Sequence, residues 1–273
     1  MKIIHNVHLK FWGRFIRQMN SVLKTIYACY LQKVYRKVGM PWKINGELFR
    51  IIPNCRWRMS HDYDSDVARA LKARVIQNAC ILNIGANVGV YTLQFARWCA
   101  PAGRVFAFEP NPVSRKVLQR HIILNKLSDR VEIIPMAIGS VEGTVAFSFA
   151  GMEGMSRVGK PTPHLRALEA QQIDVSMTTV DSFCLKHGLQ PDVIFMDIEG
   201  LEIAALQGAA ETIRARGRAL QIAIELHPNA WDEFDTYGLD LSRLLEAHCR
   251  HPIKSDGSNA AIDEYGIVFL DSL

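Results

Sequence analysis

From about residue 65 onward the chain alternates short runs of apolar residues with longer segments of helical period. This alternation restricts the fold more than any other feature of the sequence. Cys80–Asn83, Arg104–Phe108, Val131–Met136, Val193–Met196, Ala219–Leu226 and Ile267–Leu270 read as strands. Val67–Val75, Val90–Cys99, Val113–Asn125, Val180–His187, Glu202–Arg214 and Leu239–His248 read as helices. Thr144–Ala150 and Ile173–Thr178 read as two more strands around a loop rich in Gly, Met and Ser. Strands that follow one another through helices and short connections pair in parallel by right-handed crossovers, so the pattern predicts a doubly wound α/β sheet. The sequence shows no internal repeat.

Ahead of that region the charge is uneven. Of the 32 basic residues nine lie in 1–46, where there is no acid, leaving 23 basic against 27 acidic in the rest. A basic arm over 1–40 therefore precedes a mildly acidic body, which argues against a nucleic-acid-binding domain. Within the arm, Trp12, Phe15, Met19, Val22, Ile26 and Cys29 recur three and four apart, the period of an amphipathic helix. Three readings stay open for it: a helix packed on the body or a second subunit, an interfacial helix at an anionic membrane, or an organelle transit peptide. Lys10, Arg14, Arg17 and Lys24 interrupt every apolar core that a secretory signal would need. Gly39 and Pro41 end the arm, and Asn45–Gly46 marks a hairpin turn between Trp42–Ile44 and Leu48–Ile52. Residues 41–64 thus read as a β-hairpin cover, 65–273 as the main domain, and 143–178 as a hairpin insert near its acceptor side.

No apolar run approaches the roughly 20 residues of a membrane-spanning helix. The six cysteines are widely spaced, with no CxxC pair and no cysteine–histidine cluster, so neither a disulfide framework nor a metal site is expected. The expectation is a cytoplasmic globular protein, with peripheral contact at the inner face of a membrane under the interfacial reading of the arm.

The sharpest local signal is Ile81–Leu82–Asn83–Ile84–Gly85–Ala86–Asn87–Val88–Gly89, a buried strand running through two glycines into a helix. Such a turn lets a ligand approach the backbone at a helix N-terminus. The next strand ends in Glu109, 24 residues past Gly85 and close to the ~20 expected of an acid that binds ribose hydroxyls. Together they point to a nucleoside cofactor at the carboxyl edge of the sheet. Asn87 stands where a dinucleotide loop has its middle glycine, which speaks against a nicotinamide-dependent oxidoreductase; a cofactor without a pyrophosphate asks less of that position.

The segments Asn83–Gly89, Phe108–Glu109–Pro110–Asn111–Pro112, Ala137–Ile138–Gly139 and Asp197–Ile198–Glu199–Gly200 resemble FkbM-type methyltransferases in order and spacing, from about residue 60 to 228. The resemblance implies a Rossmann-like class I methyltransferase sheet of seven strands with the last one antiparallel, here Tyr265–Leu270. It also implies S-adenosyl-L-methionine as cofactor and a hydroxyl acceptor on a glycan or other polyhydroxylated metabolite. Gly85, Asn87 and Gly89 would hold the methionine end, Glu109 the ribose, Pro110 and Asn111 the adenosine flank, and Met136 and Ala137 the adenine. Asp197 would face the methionine amino group or the acceptor. Two positions depart from the family. Asn83 stands where an acid is usual and keeps a hydrogen bond without the charge, and Phe195 replaces a frequent Lys. Those departures keep a non-catalytic binding module, associating through its basic arm, as an alternative.

A hydroxyl acceptor needs a base at the sheet edge, and Asp197, Glu199 and His227 are the candidates, with Glu225 beside them. Each also has a structural reading: Asp197 as cofactor anchor, Glu199 as helix cap, His227 as a loop residue. The loop Gly151–Arg157 reads as a mobile cover with Ser156 and Arg157 facing the acceptor, or as a plain surface hairpin. His61, Asp62 and Asp64 precede the core and could serve as a lid.

Overall fold

The computed structural model describes residues 23–272. The first half of the arm, including Trp12, Phe15, Met19 and Val22, lies outside the described residues. A helix over 23–35 (α1) leads into an antiparallel hairpin, β1 (Met40–Ile44) and β2 (Glu47–Ile51), and then α2 (Ser65–Arg74). The body follows as β3 (Cys80–Ile84), α3 (Val90–Trp98), β4 (Arg104–Phe108), α4 (Pro112–Leu124) and β5 (Val131–Ile134). A second group comprises β6 (Ala137–Ile138), β7 (Gly143–Phe149), β8 (Arg157–Val158), α5 (Pro163–Ala167) and β9 (Gln171–Thr178). The chain closes with α6 (Val180–His187), β10 (Val193–Met196), α7 (Glu202–Gln207), α8 (Ala210–Arg216), β11 (Gln221–Leu226), α9 (Gly238–Ala247), β12 (Arg250–Ile253) and β13 (Gly266–Ser272).

Seven strands form the central sheet in the order β12-β13-β11-β10-β3-β4-β5. All are parallel except β13, which runs antiparallel between β11 and β12. The expected doubly wound sheet with its final strand reversed is therefore what the chain forms. Its strands are apolar on both sides because both faces are covered. Ile81 and Phe195 enter one core layer with Phe95 of α3, while Leu82 and Ile194 enter the other with Phe183 of α6 and Trp231. The hairpin shares the first layer: Ile44, Phe49 and Ile51 pack in the same cluster as Ile81 and Leu93. Its far end is pinned by His121 of α4, whose Nε2 accepts from the Ile52 N–H (2.9 Å) while Nδ1 donates to the Val88 carbonyl (2.7 Å). Burial lowers the imidazole pKa to about 4, so it stays neutral and can serve as donor and acceptor at once.

Three elements differ from the sequence reading. The strand expected over Val131–Met136 stops at Ile134, because Pro135 has no N–H to extend the ladder; Ala137–Ile138 joins β9 in a separate four-stranded sheet, β6-β9-β7-β8. The helix expected over Glu202–Arg214 breaks at Gly208, where a Cβ would stand 2.2 Å from the Gly139 carbonyl oxygen. Its carbonyl instead accepts from the Asp181 N–H (2.9 Å), tying the break to the start of α6. The edge strand β12 has no apolar alternation to announce it. It is held by buried Arg250, which donates to the carbonyls of Leu220 (2.9 Å) and Leu270 (2.8 Å).

Candidate active site

The carboxyl ends of β3, β4, β10 and β11 converge on one edge, where two adjoining cavities open. The first is a narrow cleft bounded by Glu109, Pro110, Met136, Ala137, Ile138 and Phe147. The second, about 480 Å³, is lined by Asn83, Tyr63, Asp64, Glu199, Glu225 and Tyr265, with Trp57 and Arg58 also on its wall. Gly85, Asn87, Gly154 and Asp197 border both.

The turn after β3 owes its shape to packing as much as to any ligand. Gly85 has φ +87°, and a Cβ there would lie 1.8 Å from the Asp197 carbonyl oxygen, so only glycine lets the β3 and β10 ends meet. Gly89, at φ +100°, faces Leu118 of α4 and lines neither cavity, unlike Gly85 and Asn87. Glu109 is buried, and its two carboxylate oxygens accept from the backbone N–H of Asn87 (2.6 Å) and Asn111 (2.7 Å). It thereby locks the turn after β3 to the end of β4. Burial raises its pKa to about 7 against the lowering effect of those two hydrogen bonds.

Asn111 does not border the cavities. Its Oδ1 caps α4 by accepting from Val113 N–H (2.9 Å), and its Nδ2 donates to Gly151 O (2.8 Å) and Ser156 Oγ (3.3 Å). The loop expected to be a mobile cover is therefore strapped down at its base. A second strap joins Arg58 to Glu153 (3.3 Å). Gly154 lines both cavities and Ser156 the first, so the loop walls the site. Arg157 takes another direction: it is buried, pairs with Glu233 (3.4 Å) and stacks over Phe234. Of the proposed lid residues only Asp64 reaches the second cavity, where it accepts from Tyr91 Oη (3.2 Å). His61 stacks on Trp42 and bonds the Lys43 carbonyl, away from the site, and Asp62 lines a different depression.

The acidic edge is organised around Glu202, fully buried at the start of α7. Its carboxylate accepts from Gly200 N–H (2.7 Å), His227 Nδ1 (2.9 Å) and Trp231 Nε1 (2.8 Å). His227 Nε2 then faces Glu199 at 3.5 Å. Burial opposes the charged imidazole, but the hydrogen bond to Glu202 and the charges of Glu202, Glu199 and Asp197 prevail and raise its pKa to about 9. His227 borders neither cavity, so it is a cation held behind Glu199 and Asp197. Asp197 lies deeper. Burial first, then the charges of Glu225 and Glu199, push its carboxyl well above the ordinary range, and it shares a hydrogen bond with Glu225. Asp197, Glu225 and His227 bring one donor atom each within 4.8 Å of one another, a spacing that would also admit a cation.

Asn83 presents an unsatisfied acceptor at the second cavity. Its Nδ2 donates to Thr92 Oγ1 (2.7 Å), while its buried Oδ1 has no partner. An orphaned acceptor beside a cavity is costly unless a donor arrives. Sequence reasoning passed over Glu202, Tyr63, Trp57 and Arg58 and took Tyr265 only as the start of the last strand, while it counted Glu225 among the candidates at the sheet edge. The cover residues among them carry no motif and reach the site only through the fold of 52–64.

Residues 83–251 match the sequence model of the methyltransferase FkbM domain. Among proteins of assigned name, the chain is 27% identical over 165 residues to methyltransferase sdnD of Sordaria araneosa, covering 51% of this chain and 63% of that protein. It is 28% identical over 145 residues to the 2-O-methyltransferase NoeI of Sinorhizobium fredii, covering 49% and 58%. The matches thus span less than two thirds of either relative. Among solved structures it resembles a methyltransferase FkbM from Methylobacillus flagellatus, with 17% identity, TM-score 0.44, and coverage of 71% of this chain and 43% of that one.

Proposed function

The chain belongs to the methyltransferase FkbM domain family, and from that premise we propose that it is an S-adenosylmethionine-dependent O-methyltransferase. The observation that carries the reading is the junction at Asp197. A narrow, largely apolar cleft with a buried acid at its back meets a wide acidic cavity there. S-adenosylmethionine would supply a sulfonium-bound methyl group, to which the acceptor oxygen bonds in line as the C–S bond breaks and S-adenosylhomocysteine leaves.

The residues fit that cofactor. Glu109 would accept the ribose hydroxyls with lone pairs left over from its two backbone bonds, Pro110 would flank the nucleoside, and Met136 and Ala137 would line the adenine. The unpartnered Asn83 Oδ1 would accept from the methionine ammonium. The carboxylates of Asp64, Asp197, Glu199 and Glu225 favour a positively charged ligand end in the same cavity and disfavour an anionic acceptor. A neutral hydroxylated acceptor, such as a glycan or polyol, suits these walls, with Trp57 (79% exposed) and Tyr265 (69%) offering ring faces to a sugar. Asp197 takes the hydroxyl proton as the new C–O bond forms, and the proton it shares with Glu225 passes fully onto Glu225. Its raised pKa makes it a stronger base than an ordinary carboxylate. Glu199 and His227 fix its electrostatic surroundings.

The test begins with binding. S-adenosylhomocysteine binds the wild type in the micromolar range by calorimetry, and Glu109→Gln weakens it by about 10–100-fold, because the amide leaves one backbone N–H unpaired. The pH profile follows from burial. Glu109 is ionised above about pH 7 and protonated below it, so affinity falls by about tenfold per unit as pH drops from 7 towards 5. A wild type that folds but does not bind would defeat the enzyme reading. Labelled-methyl transfer to a panel of neutral mono- and oligosaccharides then identifies the acceptor.

A further inference from the structure

Helix α1 presents an apolar face that nothing in the described structure covers. Leu23, Ile26, Tyr27, Tyr30 and Val34 are each 47–59% exposed, and at 100° per residue they fall on one side; Val38, in the turn that follows, is exposed as well. The helix is docked by a different side: Leu31 is buried, Tyr35 packs against the main core, and Arg120 of α4 donates to the carbonyls of Arg36 and Lys37 (both 2.9 Å). The exposed face is thus left over after docking. Lys33 flanks it along one margin, Lys37 is exposed in the turn after the helix, and Lys33, Arg36 and Arg120 line a groove of about 710 Å³ whose walls include Tyr35, Ile52 and Leu124. No helix among the described residues is long and apolar enough to cross a membrane.

We propose that this face docks on the surface of an anionic lipid bilayer, with Tyr27, Tyr30, Ile26 and Val34 entering the headgroup–acyl boundary and the flanking cations contacting lipid phosphates. Charge decides between this occupant and a second copy of the chain. Two-fold pairing of the same face would bring two basic segments together, and residues 1–46 contain no acid to offset their charge. An anionic bilayer satisfies the apolar stripe and the cations together. The inference is independent of the methyl-transfer reading, because neither the face nor the groove includes a cavity residue of the candidate active site.

The test is vesicle flotation of the full chain at low protein concentration. Phosphatidylcholine vesicles containing about a third phosphatidylglycerol are compared with pure phosphatidylcholine. The expected result is flotation with the anionic vesicles only, weakening as salt rises from 0.1 to 0.5 M. Ile26→Glu/Tyr30→Glu abolishes it, and Lys33→Glu/Lys37→Glu reduces partitioning by at least about 25-fold, from roughly fivefold per cation lost. Unchanged thermal unfolding and unchanged S-adenosylhomocysteine binding show that these exposed substitutions leave the fold intact. Three results would overturn the proposal: no flotation, equal flotation with neutral vesicles, or a stable dimer by light scattering that Ile26→Glu/Tyr30→Glu splits.

Discussion

Asp197→Asn is expected to lower the rate of methyl transfer by about 10²–10⁴-fold, the usual contribution of a positioned general base. Its affinity for S-adenosylhomocysteine should change by less than tenfold. Asparagine keeps the volume and one acceptor oxygen, and the backbone carbonyl that meets Gly85 is untouched. What disappears is the capacity to take a proton. Removing a charge that Glu225 and Glu199 already oppose should leave stability unchanged or slightly raised. The measurement is single-turnover transfer of labelled methyl to the acceptor that the panel identifies, alongside calorimetry of the product cofactor. A rate within threefold of wild type would remove Asp197 from the proton path. A parallel collapse of cofactor affinity would make it an anchor instead.

Glu202→Ala should be the most damaging single change to the acidic edge, costing about 3–5 kcal/mol in denaturant unfolding. Glu202 is fully buried and satisfies three donors, on Gly200, His227 and Trp231. Deleting it leaves a buried imidazolium and two N–H groups without their acceptor. The pH dependence separates this from simple loss of packing. In the wild type, His227 has a folded pKa raised above its unfolded value of 6.5. Its charge therefore stabilises fully below about pH 6.5, and that contribution is lost as pH rises through about 9. In Glu202→Ala that slope flattens, because the largest influence raising the His227 pKa is gone. A variant that keeps the wild-type slope would show that Glu199 and Asp197 alone hold the charge. A loss under about 1 kcal/mol would show that water or a rotated His227 replaces the carboxylate.

The α/β alternation, the Asn-Gly hairpin and the distance from Gly85 to Glu109 are all local in sequence, so they were legible there, whereas the reversed final strand followed only from the family resemblance. Period and turn chemistry depend on a residue and its near neighbours. The break at Gly208 was not legible, because its cause is the approach of Gly139, 69 positions away. Nor was β12, whose strand is held by the carbonyls that Arg250 finds. The site shows the same division. The turn, Glu109 and the Asp197–Gly200 segment announce themselves by residue type and spacing. Whether His227 would be base or counter-ion depended on Glu202, which becomes its partner only when α7 and the end of β11 pack together. The role of Gly85 depended likewise on the neighbouring strand end.

The sequence by itself determined the layer architecture and the family, and it singled out Glu109 as the acid proposed to bind the ribose, since each rests on short-range pattern. Only the tertiary structure decided which carboxylates face one another, which of them are desolvated, and that residues from 57–64 wall the second cavity. Those properties come from burial and from distances under about 5 Å between residues far apart in the chain, and electrostatic energies in a desolvated site change steeply over such distances.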